Sequence, residues 1–278
     1  APCAGSDIAG AMFKSIGREI RSIPGHVVAL FFAAPALIYL DGIYVVAWSF
    51  RPGLAHWVLL ALSACCLAWL YADGAAPRGP WEREHSNRRR DALQATILVL
   101  AALVVCAAAH ELLALFQPAA HVETWDAGKS TLTYPEVTGI GDAVALAAGI
   151  ALSFANLAIM LLGLCAPACA AQHGLGRCMQ ESWRAWRRCY FRLCGLCMLA
   201  WIALIPAFVL ALPLQVYWAA AGFGSPGHAA QIRLAIDLCN RVGPGNIALG
   251  GAAATLLFGI VLWSYSRAVA RLIEQPRG

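Results

Sequence analysis

Charge is what this chain has least of. Only 13% of its 278 residues are Asp, Glu, Lys or Arg, whereas 60% are apolar. A soluble domain carries about 25% charged and about 45–50% apolar residues. The deficit excludes an ordinary soluble enzyme, a disordered chain and a free nucleic-acid binder. The mean hydropathy of +0.66 agrees. Signatures of common chemistries are missing too. There is no G-x-S-x-G, and Gly222-Phe223-Gly224-Ser225 does not reproduce one. His110-Glu111 is followed by Leu112 and Leu113, so it is no H-E-x-x-H. No phosphate loop occurs. Cys194-Gly195-Leu196-Cys197 has no second CxxC to complete a metal site. The sequence implies no metal and no cofactor. Haem would need facing histidines, and only His56 and His110 could meet.

Long apolar runs fill the space that charge leaves. A spanning helix needs roughly 20 mostly apolar residues. Six stretches qualify, near 27–50, 54–72, 93–116, 143–165, 193–221 and 247–265. Alternating short segments of a membrane barrel are absent. The expected fold is all-α: one integral-membrane domain over 1–278, a bundle of six transmembrane helices with two interfacial helices. The first two spans are joined only by Arg51-Pro52-Gly53, which makes them an antiparallel hairpin. Pro206 and Pro213 predict a kink or tilt in the fifth.

Basic residues predict the direction. Sixteen of the 20 Lys and Arg fall on one side of this layout, leaving Arg51, Lys129, Arg233 and Arg241 on the other. The positive-inside rule then puts both termini in the cytoplasm of a bacterial inner membrane. Asp7, Lys14 and Arg18 interrupt the first apolar segment too soon for a cleavable signal peptide.

Residues 8–23 read as an amphipathic interfacial helix, with Arg18 and Arg21 toward headgroups. Residues 174–192 repeat the arrangement, interleaving Trp183, Trp186, Tyr190 and Phe191 with Arg184, Arg187 and Arg188. The loop 73–91 carries the run Arg88, Arg89 and Arg90, which attracts anionic headgroups. On the outer side, 117–142 reads as a long polar loop packing over helix ends. A short helix is expected after Ser225 and Pro226, ending near Gly243. Gly250-Gly251-Ala252 would let the sixth span approach a neighbour closely.

Displaced by 167 positions, 12–38 falls on 179–205, matching Met12 to Met179, Ser15 to Ser182 and Arg21 to Arg188. Both copies run from a basic interfacial helix into a span, as in a parallel duplication. Within the second copy stand Gly174-Leu175-Gly176, Ser182-Trp183, Arg187-Arg188 and Tyr190-Phe191. This motif and the six-span plan, about half the chain, resemble bacterial six-span inner-membrane proteins related to the membrane domain of glycerophosphoryl diester phosphodiesterases. The resemblance implies a fold and a membrane role. It transfers no catalytic residue, because that family keeps its catalytic carboxylates in a separate soluble barrel.

Polar groups inside a bilayer are costly and are functional candidates. Asp41, His56, His110, Glu111, Asn156 and Gln215 are those candidates, five of them in the outer half of the spans. Facing one another, they would line a polar cavity. The competing reading is that each bonds a neighbouring helix. Eleven cysteines are chiefly small apolar filler. Three functions remain. The first is a non-enzymatic accessory, scaffold or lipid-binding protein, with membrane lipids and a larger membrane-protein complex as partners and no nucleic acid. The second is a small transporter or permease subunit built on Asp41, His56, His110 and Glu111. The third is an intramembrane lipid-acting enzyme using His110 and Glu111.

Overall fold

The computed structural model describes residues 24–47, 53–76, 82–114, 120–125, 130–135, 139–222, 233, 237 and 240–274. The expected helix 8–23, with Arg18 and Arg21, lies outside the described residues, as does most of the expected helix after Ser225. Seven α-helices, a 3-10 turn at Leu175–Arg177 and one antiparallel strand pair are described. The helices and strands are α1 (Gly25–Ala47), α2 (Leu54–Ala75), α3 (Glu82–Ala114), β1 (Ala120–Trp125), β2 (Ser130–Pro135), α4 (Ile140–Gly163), α5 (Ala166–His173), α6 (Cys178–Gly222) and α7 (Pro244–Glu274). Six of these helices, all but α5, are long and apolar enough to cross a membrane. The fold is an all-α polytopic bundle, and the chain is a multi-pass integral membrane protein.

The surface agrees. Phe32, Val104, Phe154, Trp201 and Val209 are largely exposed. In water such a surface would drive association, whereas in hydrocarbon it costs nothing.

The helices group into two compact units. One comprises Ala1–Gly74 and Cys194–Ala268, the other Ala75–Leu193 and Val269–Gly278. In the first, α1, α2 and α7 close around Val27, Leu70 and Trp263, with Phe31 and Leu67 against them. Phe31 meets Trp263 edge to face, with ring centroids 6.2 Å apart. Ser63 Oγ on α2 donates to the Ala34 carbonyl on α1 at 3.3 Å. Small residues bring the backbones close. A Cβ on Gly250 would sit 2.8 Å from the Leu210 carbonyl oxygen of α6. The Gly250 stripe therefore does meet a neighbouring helix, as its composition predicts.

The second unit contains a helix missed in the sequence. α5 is only eight residues long, and Ala166–Ala171 are all buried. It packs along α3, where Ala95, Ala170 and Cys178 form a core with Leu175 beside them. The sequence reading ended the fourth span at 165 and began the surface helix at 174, because Ala and Cys at this length resemble a span end. Pro167 suits the first turn of α5. Gly174, at φ +81, ends it, and its N–H bonds the Ala170 carbonyl at 2.8 Å. Only glycine adopts that conformation without strain.

Three further expectations change. The loop 73–91 is mostly helix, so Arg88, Arg89 and Arg90 ride on α3. At 33 residues α3 is about 50 Å long, well beyond a hydrocarbon core of about 30 Å. The polar segment 117–142 holds an antiparallel hairpin in the register Ala120 to Pro135 and Trp125 to Ser130. Its strands carry Val122, Thr124, Thr131, Thr133 and Tyr134, the β-branched and aromatic types that favour strands, around Asp126 and Gly128. The surface helix begins at Cys178, after a 3-10 turn at Leu175–Arg177, and meets the fifth span at a kink within α6. Pro206 and Pro213 lie inside α6, but the residue that leaves helical dihedrals is Cys189, at φ −115 and ψ 21. Of the proposed repeat, 12–23 lies outside the described residues.

Candidate functional site

The end of α1 lies beside the start of α2, where Asp41 and His56 meet. Asp41 stands near the end of α1 and His56 in the first turn of α2. His56 Nδ1 and Asp41 Oδ1 are 2.6 Å apart, and both residues are buried. The distance is that of a charge-assisted hydrogen bond. Trp57 presents its ring edgewise to His56, centroids 5.1 Å apart. No Lys or Arg occurs in α1, in α2, or in α6 beyond Arg192, and α7 has none before Arg267. At that depth His56 is the basic partner these segments supply for Asp41.

The other expected residues divide between the two units. Asp41, His56 and Gln215 belong to one unit, and His110, Glu111 and Asn156 to the other. Gln215 borders a small apolar cavity of about 140 Å³ lined by Ile38, Phe208, Leu214 and Phe258. His110 Nε2 lies 3.2 Å from Ser153 Oγ, whose hydroxyl also donates to the Gly149 carbonyl at 2.9 Å. Glu111 is exposed and Asn156 half-buried. The structure joins Asp41 to His56 and His110 to Ser153.

A second polar cluster escaped the sequence reading. Asp73, near the end of α2, is buried. Trp263 Nε1 on α7 donates to its Oδ2 at 3.3 Å, and His26 Nε2 on α1 lies 3.7 Å from its Oδ1. The Arg267 guanidinium stands 5.4 Å from the Trp263 ring centroid, within cation–π range. Trp263 and Arg267 stand one helical turn apart on α7, and the Asp73 partner of Trp263 is 190 residues away.

A wide opening lies in the second unit. A cavity of about 970 Å³ is bordered by Gln172, Glu181, Arg184, Arg187, Arg188 and Glu274. The start of α6 builds most of it. Cys178, Ser182 and Ala185 are buried, which turns the arginines of α6 outward. Arg184 Nη1 holds Glu181 Oε1 at 2.6 Å. Arg188 Nη2 donates to the Ile273 carbonyl at 3.0 Å. Gln172 Nε2 is buried, with no hydrogen-bond partner among the described residues. Along α6, Trp183, Tyr190 and Phe191 are exposed. Trp186 and Tyr190 meet edge to face at 5.4 Å. Arginines beside exposed aromatics are what a helix at a membrane–water interface requires.

Cys169 forms part of the cavity wall. Burial pushes its thiol up to about 11, with Glu181 adding and a bond from Ser182 opposing. The thiolate is the nucleophile, so a raised value means a slow thiol. In the folded protein at pH 8, Cys169 should alkylate more than about a hundredfold slower than in the denatured chain. Mass-spectrometric footprinting with iodoacetamide reads this directly, and equal rates would refute it. Among the described residues, no three His, Cys, Asp or Glu side chains gather to hold a metal ion.

No protein-family model, no curated protein and no solved structure matches this chain.

Proposed function

We propose that this protein binds membrane phospholipid through the arginine-lined cavity at the start of α6 and acts without catalysis, as a lipid-binding or accessory subunit. One observation carries the reading. Arg184, Arg187 and Arg188 border a cavity of about 970 Å³, and Trp183 and Tyr190 are exposed on the same helix. Guanidinium groups match phosphate oxygens, and interfacial aromatics lie at headgroup depth. The motif resemblance to six-span bacterial membrane domains is part of the same proposal.

The location belongs to it too: a bacterial inner membrane, with the arginine-rich end in the cytoplasm. The basic asymmetry of the sequence supports this. An alkaline phosphatase reporter fused within 126–129 should be active, and one fused within 77–81 inactive. The reverse pattern would invert the topology.

Arg187→Gln is the direct test of lipid binding. Arg187 is exposed, so its loss leaves the packing of α6 intact. Phospholipid retained through gentle purification should fall about tenfold, the worth of one charge-assisted hydrogen bond. Native mass spectrometry counts the lipids. Undiminished retention would remove the cavity as a lipid site.

A second reading, a small transporter or permease subunit, rests on the buried Asp41–His56 pair. It requires Asp41→Asn to abolish uptake at unchanged protein level.

A further inference from the structure

The cavity at the start of α6 is not uniformly basic. Arg184 is engaged by Glu181. Arg188 spends one N–H on the Ile273 carbonyl and keeps the rest of its fork. Arg187 has no hydrogen-bond or ion-pair partner among the described residues, and neither has Glu274, which is exposed at the end of α7. Gln172 adds its unpartnered amide donor from α5. The open groups are therefore two guanidiniums and an amide, all donors, with the exposed His173 imidazole and the Glu274 carboxylate on the same lining.

A purely anionic headgroup would leave Glu274 opposed to like charge. A headgroup carrying both signs satisfies the whole lining. We infer that the cavity takes a phosphoethanolamine headgroup. Its phosphate meets Arg187, Arg188 and the Gln172 amide, and its primary ammonium meets Glu274. Two methylenes separate the ammonium from the phosphate ester oxygen, so one headgroup presents both charges to one cavity. A primary ammonium has three N–H donors and can direct one at a carboxylate, whereas the quaternary ammonium of phosphocholine has none. That difference is the basis for selection. The exposed aromatics of α6 favour the lipid over the free headgroup, because they hold this wall at the depth where headgroups lie.

This inference rests on the phospholipid reading above, and the test separates the two. Full-length protein is equilibrated with phosphatidylethanolamine, phosphatidylcholine and phosphatidylglycerol of identical acyl chains, and bound lipid is counted by native mass spectrometry. The wild type should retain phosphatidylethanolamine about tenfold over phosphatidylcholine. Glu274→Gln should erase that preference while phosphatidylglycerol is held as well or better. Arg187→Gln should lower all three. Soluble phosphoethanolamine should compete only weakly, and competition equal to that of the lipid would overturn the lipid as the ligand. Equal wild-type retention of phosphatidylethanolamine and phosphatidylcholine would overturn the headgroup assignment, as would a preference that survives Glu274→Gln. If Arg187→Gln lowers none of the three, the phospholipid reading itself falls. Unchanged elution and thermal unfolding of each variant show that the helices remain packed.

Discussion

Asp41→Ala should destabilise the protein by about 3–5 kcal/mol, the cost of removing one partner from a buried ionic hydrogen bond. The carboxylate is fully buried and lies 2.6 Å from His56 Nδ1. Its loss removes the 2.6 Å bond to His56 Nδ1, and His56→Ala removes the same bond from the other side. Joint replacement by Leu at both positions removes both desolvated groups and should return stability to within about 1 kcal/mol of wild type. Unfolding by denaturing detergent in mixed micelles measures all three variants. Single losses below about 1 kcal/mol would mean that water reaches the pair. The doubly substituted protein also separates scaffold from transport. If it is stable and still active, the pair is a clamp between α1 and α2. If it is stable but has lost uptake, the pair is the working part of a transporter.

Gly74→Ala should cost about 1–3 kcal/mol despite the better helix propensity of alanine. Alanine gains about 1 kcal/mol over glycine in a free helix. Here a Cβ would sit 2.6 Å from the Trp263 carbonyl oxygen and overlap Ser266 Oγ. A backbone carbonyl cannot swing aside, so α2 and α7 must separate. That separation also strains the neighbouring bond from Trp263 Nε1 to Asp73. Gly250→Ala, against the Leu210 carbonyl, should show a similar loss. Gly195→Ala supplies the contrast, because nothing lies within 4 Å of its Cβ position. It should be neutral or stabilising. Equal effects at Gly74 and Gly195 would mean that propensity, not helix contact, sets the cost.

Hydropathy makes the six spans legible, because a spanning helix must be apolar along its own length whatever its neighbours do. The Asp41–His56 pair was half legible. A short connection brings the two helix ends together, and polar residues at matching depth seek each other. Asp73 and Trp263 meet across 190 residues, and nothing local announces that contact. α5 was hidden for a different reason. Its Ala and Cys residues pack against α3, yet a helix of eight residues carries too little apolar area to register on its own. The hairpin was missed because its alternation is brief and its side chains are polar. The arginines of α6 were visible, but a cavity among them was not, since Glu274 arrives from the far end of the chain.

The division of the chain also dictates an order of manufacture. The unit that contains Asp41 begins with Ala1–Gly74 and is completed only by Cys194–Ala268. At about 5–20 residues per second, the ribosome needs roughly 10–40 s to reach Trp263 after Asp73 has been made. During that interval α1 and α2 stand in the membrane with Gly42, Gly74 and Leu70 facing partners not yet synthesised. The Asp41–His56 bond needs only the first hairpin, so it can form at once. It neutralises the one carboxylate of α1 while the rest of its unit is still being translated. Mutations at this pair should therefore lower membrane yield during synthesis more than they lower the half-life of protein already assembled.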